Sequence, residues 1–427
     1  MVNIFHSFKN LSGNQKVTII CQCFWGVPFG ICNFYLSLYM KSQGVTDRQL
    51  GYLISFGFIF GIISSLFGGV IVDTLGRKRA MVISDIITWP LSFLIYALSS
   101  SYLMFLLGVF TNKLGGMVTS VAFNCIMSED ANKQQRMSAF NLINIINTTT
   151  GLLVPLGGIA VKNFGLVQSE RSFLFIGAII MTAMMLIRNK FYVESEIGKT
   201  VLAEARNKSL KSKLDFGLYG RTISVLKRKP EIFLTMCLFI LFQIYVAIGS
   251  YASLYFVPYL TDSLKMDKSL ISILGAVFAS VTLLVSIFLN PILLHRFSNS
   301  KLMTAGFSLD IIAVLILIFA PDGNLPMVIL HIVFYACGAS ILMPHLSSLI
   351  ANVTQENERT GVYTLLNTMS SILASIVGVV SGYIFDFNQV LIYVLSLVIL
   401  TACMTLVAVF RRVTGSKQGK SSGLTLS

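Results

Sequence analysis

Three observations make this chain an all-α membrane protein of twelve transmembrane helices, arranged as two pseudo-symmetric six-helix bundles. The first is composition. Of 427 residues, 55% are hydrophobic and 12% are charged, about half the charged fraction of a soluble domain, which is near 25%. The second is that apolar runs of about 20 residues, enough to cross a hydrocarbon core of about 30 Å, recur along the sequence. The third is an internal repeat. Arg136–Asn144 reads RMSAFNLIN and is followed by Gly157 and Gly158; Arg359–Asn367 reads RTGVYTLLN and is followed by Ser381 and Gly382.

The spans fall at 17–40, 49–72, 80–100, 102–127, 138–162, 171–188, 231–260, 269–293, 301–320, 326–350, 360–385 and 388–410. Polar turns separate them: Lys41–Arg48, Ser99–Ser101, Glu129–Arg136, Asn163–Glu170, Thr261–Lys268, Pro321–Pro326 and Glu356–Arg359. One polar segment is long, Asn189–Pro230. It divides the chain into an N-terminal bundle (1–188), a basic linker (189–230) and a C-terminal bundle with a short tail (231–427). Such a duplicated layout places a substrate site near the midplane, between the halves.

The net charge of +14 follows membrane orientation and needs no nucleic-acid partner. With the N-terminus inside, the outside loops hold Lys41, Arg48, Lys162, Arg171, Lys265 and Lys268, and nearly all other basic residues face the cytoplasm. Both termini are therefore expected in the cytoplasm of a plasma-membrane protein. The seven cysteines all lie in apolar runs and read as small buried hydrophobes, not as disulfides or metal ligands. Met1–Gln15 is polar, and the run from Val17 is too long for the apolar core of a cleavable signal.

The stretch between spans two and three, Gly69–Arg79, reads GVIVDTLGRKR. Gly76 suits a chain reversal at positive φ, and Arg77, Lys78 and Arg79 mark the turn as cytoplasmic. Asp73, near the end of the incoming helix, is disfavoured there by the helix dipole and calls for a partner; Arg77 is within local reach. The second-half counterpart, Asn290–Lys301, keeps a basic end but lacks the glycines and the aspartate.

Gly69-x-Ile71-x-Asp73-x-x-Gly76-Arg77-Lys78-Arg79 closely resembles the loop 2–3 signature of the major facilitator superfamily, and the charged loop 4–5 with Glu129, Asp130 and Arg136 fits it too. The resemblance covers Val17–Arg411 and lies nearest to twelve-span prokaryotic efflux-type members. It implies alternating access, with Gly76, Asp73 and Arg77 locking the cytoplasmic side of an outward-facing state against the start of span eleven, near Arg359–Gly361. A helix N-terminus does attract a carboxylate. A second signature, the span-five motif of proton-driven drug antiporters, is matched in part: Gly151, Pro155, Gly157 and Gly158 are present, but Val154 stands where the motif has a glycine before proline.

Charges at membrane depth mark function or internal pairing. Lys113 lies about 16 Å into span four, at 1.5 Å per residue, and is a candidate contact for an anionic or polar substrate; Asn112 fits the same register. Asp310 in span nine, Asp85 in span three and His331 in span ten are candidates for proton coupling, against structural pairing as the plainer role. The lining candidates are neutral or aromatic: Trp25 and Asn33 on span one, Asn144 and Asn367 at repeat-related positions of spans five and eleven, and Gln243, Tyr245, Tyr251 and Tyr255 on span seven. Spans 1, 2, 4, 5, 7, 8, 10 and 11 have no acid in their central portions. That favours a neutral, zwitterionic or anionic substrate over a lipophilic cation.

These readings converge on a secondary active transporter of a small organic solute, proton-coupled and directed outward. An uptake symporter for a sugar or organic anion, and a non-transporting sensor on the same fold, are the alternatives. No nucleotide-binding loop G-x-x-x-x-G-K-[ST] and no catalytic cluster such as H-E-x-x-H or G-x-S-x-G occurs, so neither ATP-driven transport nor an enzyme is expected. No cofactor or metal is expected. The partners are the solute, protons and the lipid bilayer, and the chain is read as a monomer.

Overall fold

The computed structural model describes residues 8–129, 131–206, 229–353 and 356–422. Among these every regular element is helical. Eleven helices are long and apolar enough to cross a membrane, and a twelfth, Asp47–Leu75, passes if its bend at residue 66 lies within one span.

The first six spans are α1 (Gly13–Ser42), α2 (Asp47–Leu75), α3 (Arg77–Leu98), α4 (Tyr102–Ser128), α5 (Lys133–Thr149, a tight turn Thr150–Leu153, then Val154–Phe164) and α6 (Leu166–Phe191). Their starts are written in the sequence. Ser12 with Gln15, Thr46 with Gln49, and Asn132 with Gln135 form reciprocal capping boxes at α1, α2 and α5, each satisfying orphan backbone donors. Gly76 (φ +84°) and Gly165 (φ +79°) make the abrupt α2–α3 and α5–α6 reversals, in a region that side chains with a Cβ avoid. Pro90 sits in a wide π-turn, Ile87–Leu91, within α3.

The remaining spans are α7 (Pro230–Gly249), α8 (Leu270–Ser272 leading into Ile273–Leu284, Val285–Leu289 and Asn290–Arg296), α9 (Asn299–Ile318), α10 (Leu325–Val353), α11 (Glu356–Phe387) and α12 (Val390–Ser422). Two boundaries depart from the sequence expectation. Span six begins five residues earlier, so Glu170 lies inside the helix and not in a turn. Span seven ends at Gly249; the chain then runs irregularly to Tyr255 before a short helical stretch through Ser263. Gly249 lies so close to Ser396 of α12 that no Cβ would fit, and Ser250 is extended. Within the long polar segment, Glu196–Arg206 forms a further helix that packs on α2.

The chain divides into two compact units: Met1–Asp215 with Lys268–Ala276, and Phe216–Asp267 with Val277–Ser427. The short segment joins the first unit because Gly275 meets Val154, and Gly158 admits Ser269 and Ser272, where a Cβ would collide. Large apolar side chains such as Ile176, Ile179 and Leu186 on α6 stay exposed along one helix face. Soluble proteins bury stripes of that kind; here they suit lipid.

Candidate functional site

The α2–α3 turn is a charge cluster assembled from three separate stretches of the first unit. Arg77 is nearly buried. Its Nη1 donates to Asp73 at 3.0 Å, one helical turn back, and its Nε donates to Glu129 at 3.1 Å, at the end of α4. Ser195 Oγ also donates to Glu129. Glu194 accepts the backbone N–H of Arg77 (2.7 Å) and of Lys78 (3.0 Å). A carboxylate at that helix start satisfies orphan donors and complements the dipole. Gly76 leaves room for it, since a Cβ there would come within 2.9 Å of the Glu194 carboxylate. Lys78 is half-buried, Arg79 and Gly69 are exposed, and Arg136 is exposed without an ion pair among the described residues. Asp130 and the side chain of Arg359, the partners expected from loop 4–5 and the start of span eleven, lie outside the described residues.

Deeper in the same unit, Asp85 on α3 forms a buried ion pair with Arg188 on α6. Thr119 and Ser84 hydrogen-bond each other at 2.9 Å beside it, and Tyr192 bonds Thr18 at 2.7 Å. In sequence Asp85 is a proton-coupling candidate; the pair with Arg188 gives it a bonded structural partner. In sequence Arg188 is the last residue of span six, next to the basic linker, so nothing in the linear charge pattern joins it to Asp85.

Lys113 occupies a different setting. Its stem lies against Gly57 of α2, with Cε 3.5 Å from where a Cβ would stand. Its side chain is exposed and makes no ion pair among the described residues. Asn112 turns away: its amide donates to the carbonyl of Thr88, in the π-turn of α3, at 3.0 Å. Trp25 stacks on Phe29 at 4.3 Å and meets Trp89 edge-on at 5.2 Å. Asn33 and Asn144 are exposed. Gln22 on α1 bonds Asn147 on α5 at 2.7 Å, a pair the sequence does not single out.

The second unit holds a buried polar and aromatic cluster. Asp310 on α9 is fully buried, and among the described residues neither carboxylate oxygen has a hydrogen-bond partner. Gly338 on α10 makes the space for it: a Cβ there would strike the Asp310 carboxylate and lie 2.9 Å from the Gly306 carbonyl oxygen. Tyr245, Tyr335 and Cys403 lie in its electrostatic range. His331 Nδ1 stands 2.8 Å from the Ala313 carbonyl oxygen. A carbonyl only accepts, so Nδ1 carries the proton and donates. Its Nε2 is buried without a partner. The ring belongs to a closed circuit of aromatics: Tyr251 stacks on Phe278 (4.7 Å), Phe278 on Tyr335 (5.7 Å), Tyr335 on His331 (6.3 Å), His331 on Phe256 (5.8 Å), and Phe256 returns to Tyr251 (5.3 Å). Gln243 is half-buried on α7. The side chain of Asn367 lies outside the described residues. Among those described, no group of three metal-ligating side chains occurs.

The sequence matches the Major Facilitator Superfamily over residues 18–257 and 243–426. It is 23% identical over 362 residues to the quinolone resistance protein NorA of Staphylococcus aureus (strain COL), covering 82% of this chain and 84% of that protein. It is 27% identical over 228 residues to the multidrug resistance protein MdtG of Enterobacter lignolyticus (strain SCF1), covering 51% of this chain and 53% of that protein. Among solved structures it resembles the nucleoside transporter NupG, with TM-score 0.66 and 15% identity over 94% of this chain and 98% of that one. It also resembles a D-xylose–proton symporter, with TM-score 0.70 and 14% identity over 91% and 96%. At such identities the two structures speak for the fold.

Proposed function

Because this chain belongs to the Major Facilitator Superfamily and is a multi-span membrane transporter, we propose that it exports a small organic solute in exchange for protons, with both termini in the cytoplasm. The observation that carries proton coupling is Asp310. A carboxylate fully buried without a hydrogen bond costs several kcal/mol. A side chain that can shed its charge by binding a proton removes that cost, and doing so reversibly is the elementary act of coupling. Export is supported by the efflux proteins among its relatives and by the partial span-five motif that Pro155, Gly157 and Gly158 of α5 carry. A Cβ at Gly157 would stand 3.1 Å from Ile31 of α1, so α1 and α5 approach closely there. Lys113 supports a substrate with a negative or polar group, since an unpaired exposed cation in a membrane span is open to a ligand's counter-charge.

The test uses purified protein in liposomes. A thermal-shift screen across sugars, organic acids and drugs, quinolones included, first identifies a ligand. Counterflow of that labelled solute then demonstrates exchange, and an imposed pH gradient, acid on the side taken as outside, drives it outward. Asp310→Asn is expected to keep counterflow and lose gradient-driven accumulation. Binding without exchange would replace this reading with a sensor.

A further inference from the structure

We propose that Glu170 is a proton-holding site: in this conformation its side chain is a neutral carboxylic acid, enclosed between α1 and α6 near the start of α6. It is independent of Asp310 and of the direction of transport.

The argument starts from enclosure. Glu170 lies about 6 Å from the start of α6 at 1.5 Å per residue. It is 0% exposed, and among the described residues both carboxylate oxygens lack a hydrogen-bond partner. Its sequence neighbour Arg171 does not serve it. That guanidinium is spent on Tyr39 Oη (3.1 Å), Gln43 Oε1 (3.1 Å) and the Ser99 carbonyl (3.2 Å). Three helices pack against α6: α1, α3 and α5. On α1, the Cys32 thiol and the Tyr39 hydroxyl lie in electrostatic range of Glu170. On α3, Asp85 is taken by Arg188 and Tyr96 stacks on Phe105. On α5, Lys162 is exposed. On α6 itself, Arg188 is some five turns away and Lys190 lies over Phe191. Lys41, also on α1, pairs with Asp47. Among the described residues no cation hydrogen-bonds the Glu170 carboxylate, and the neutral acid is the form that such an enclosure tolerates.

The exchange step needs no co-reactant beyond water. The O–H bond of the acid breaks heterolytically, the carboxylate keeps the electron pair, and the proton passes to water.

Infrared spectroscopy of the full chain in liposomes tests this with the proton alone as probe. Wild type, Glu170→Gln, Asp310→Asn and the double variant are compared for the carbonyl band of protonated carboxylic acids at neutral pH. A band that persists in Asp310→Asn and is lost from the double variant is the expected result. Identical spectra for those two proteins overturn the proposal, whatever Asp310 itself does. If Glu170→Gln does not fold, alkaline titration of Asp310→Asn alone decides: the remaining band must bleach with rising pH, and its absence at neutral pH is fatal. Thermal unfolding gives a second readout. A neutral buried acid stabilises the fold at low pH and loses that contribution as pH rises, so Glu170→Gln should lose less Tm than wild type between neutral and alkaline pH.

Discussion

Glu194 closes over the first turn of α3, one oxygen on the backbone N–H of Arg77 at 2.7 Å and the other on that of Lys78 at 3.0 Å. The residue belongs to the segment that follows α6, more than a hundred positions away, yet it completes the α2–α3 turn. The motif's arginine is thereby held at its backbone by Glu194 and at its guanidinium by Glu129 and Asp73.

Glu194→Ala should destabilise the first unit by about 1–2 kcal/mol, the usual cost of a lost helix cap, and Glu194→Gln by less. Thermal unfolding in detergent measures both. Equal Tm for all three proteins would mean that the cap contributes nothing.

Asp73→Asn should slow transport strongly while binding of the screened ligand is retained. The Asp73 side chain is 48% exposed, so its loss should cost stability no more than about 1 kcal/mol, and Glu129 still anchors Arg77. Counterflow rate and ligand-induced thermal shift, measured on one preparation, separate gating from folding; an unchanged rate removes the gating role.

For the buried pair, Arg188→Met should cost about 3–5 kcal/mol, because it leaves Asp85 charged and enclosed. Adding Asp85→Leu should recover much of that loss. The double-mutant cycle reads the coupling directly, and additive losses would show that the two side chains act separately.

Lys113→Ala should leave Tm nearly unchanged, since the side chain is exposed and bears no ion pair among the described residues. Binding of anionic ligands should weaken more than binding of neutral ones. A uniform loss that tracks Tm would instead make Lys113 a packing residue.

Gly338→Ala should cost about 1–3 kcal/mol from overpacking, because the new methyl meets both the Asp310 carboxylate and the Gly306 carbonyl. Gly61→Ala, where nothing stands within 4 Å of the new Cβ, is the control for helix propensity and should leave Tm unchanged or raise it, by up to about 1 kcal/mol of stability.

Spans, family and the α2–α3 turn were legible because each depends on local order. A membrane helix must be apolar along its whole length, a reversal between helices needs Gly76 or Gly165 at positive φ, and a capping box needs two residues three apart. The candidate polar residues were less legible. Asn112 and Lys113 are neighbours with the same claim in sequence, but a helix turns about 100° per residue. One therefore binds the Thr88 carbonyl while the other stays exposed.

Composition, apolar period and the GRKR turn determined by themselves that this protein is a helical membrane transporter of its superfamily, because water and lipid act on every residue of a span at once. Tertiary structure alone decided which charges are paired. It joined Asp85 to Arg188 and Glu194 to Arg77 across distant parts of the chain, and it left Asp310 and Glu170 enclosed without a hydrogen-bond partner among the described residues. Pairing depends on which helix faces meet, and a single sequence does not record where helices distant along the chain come together.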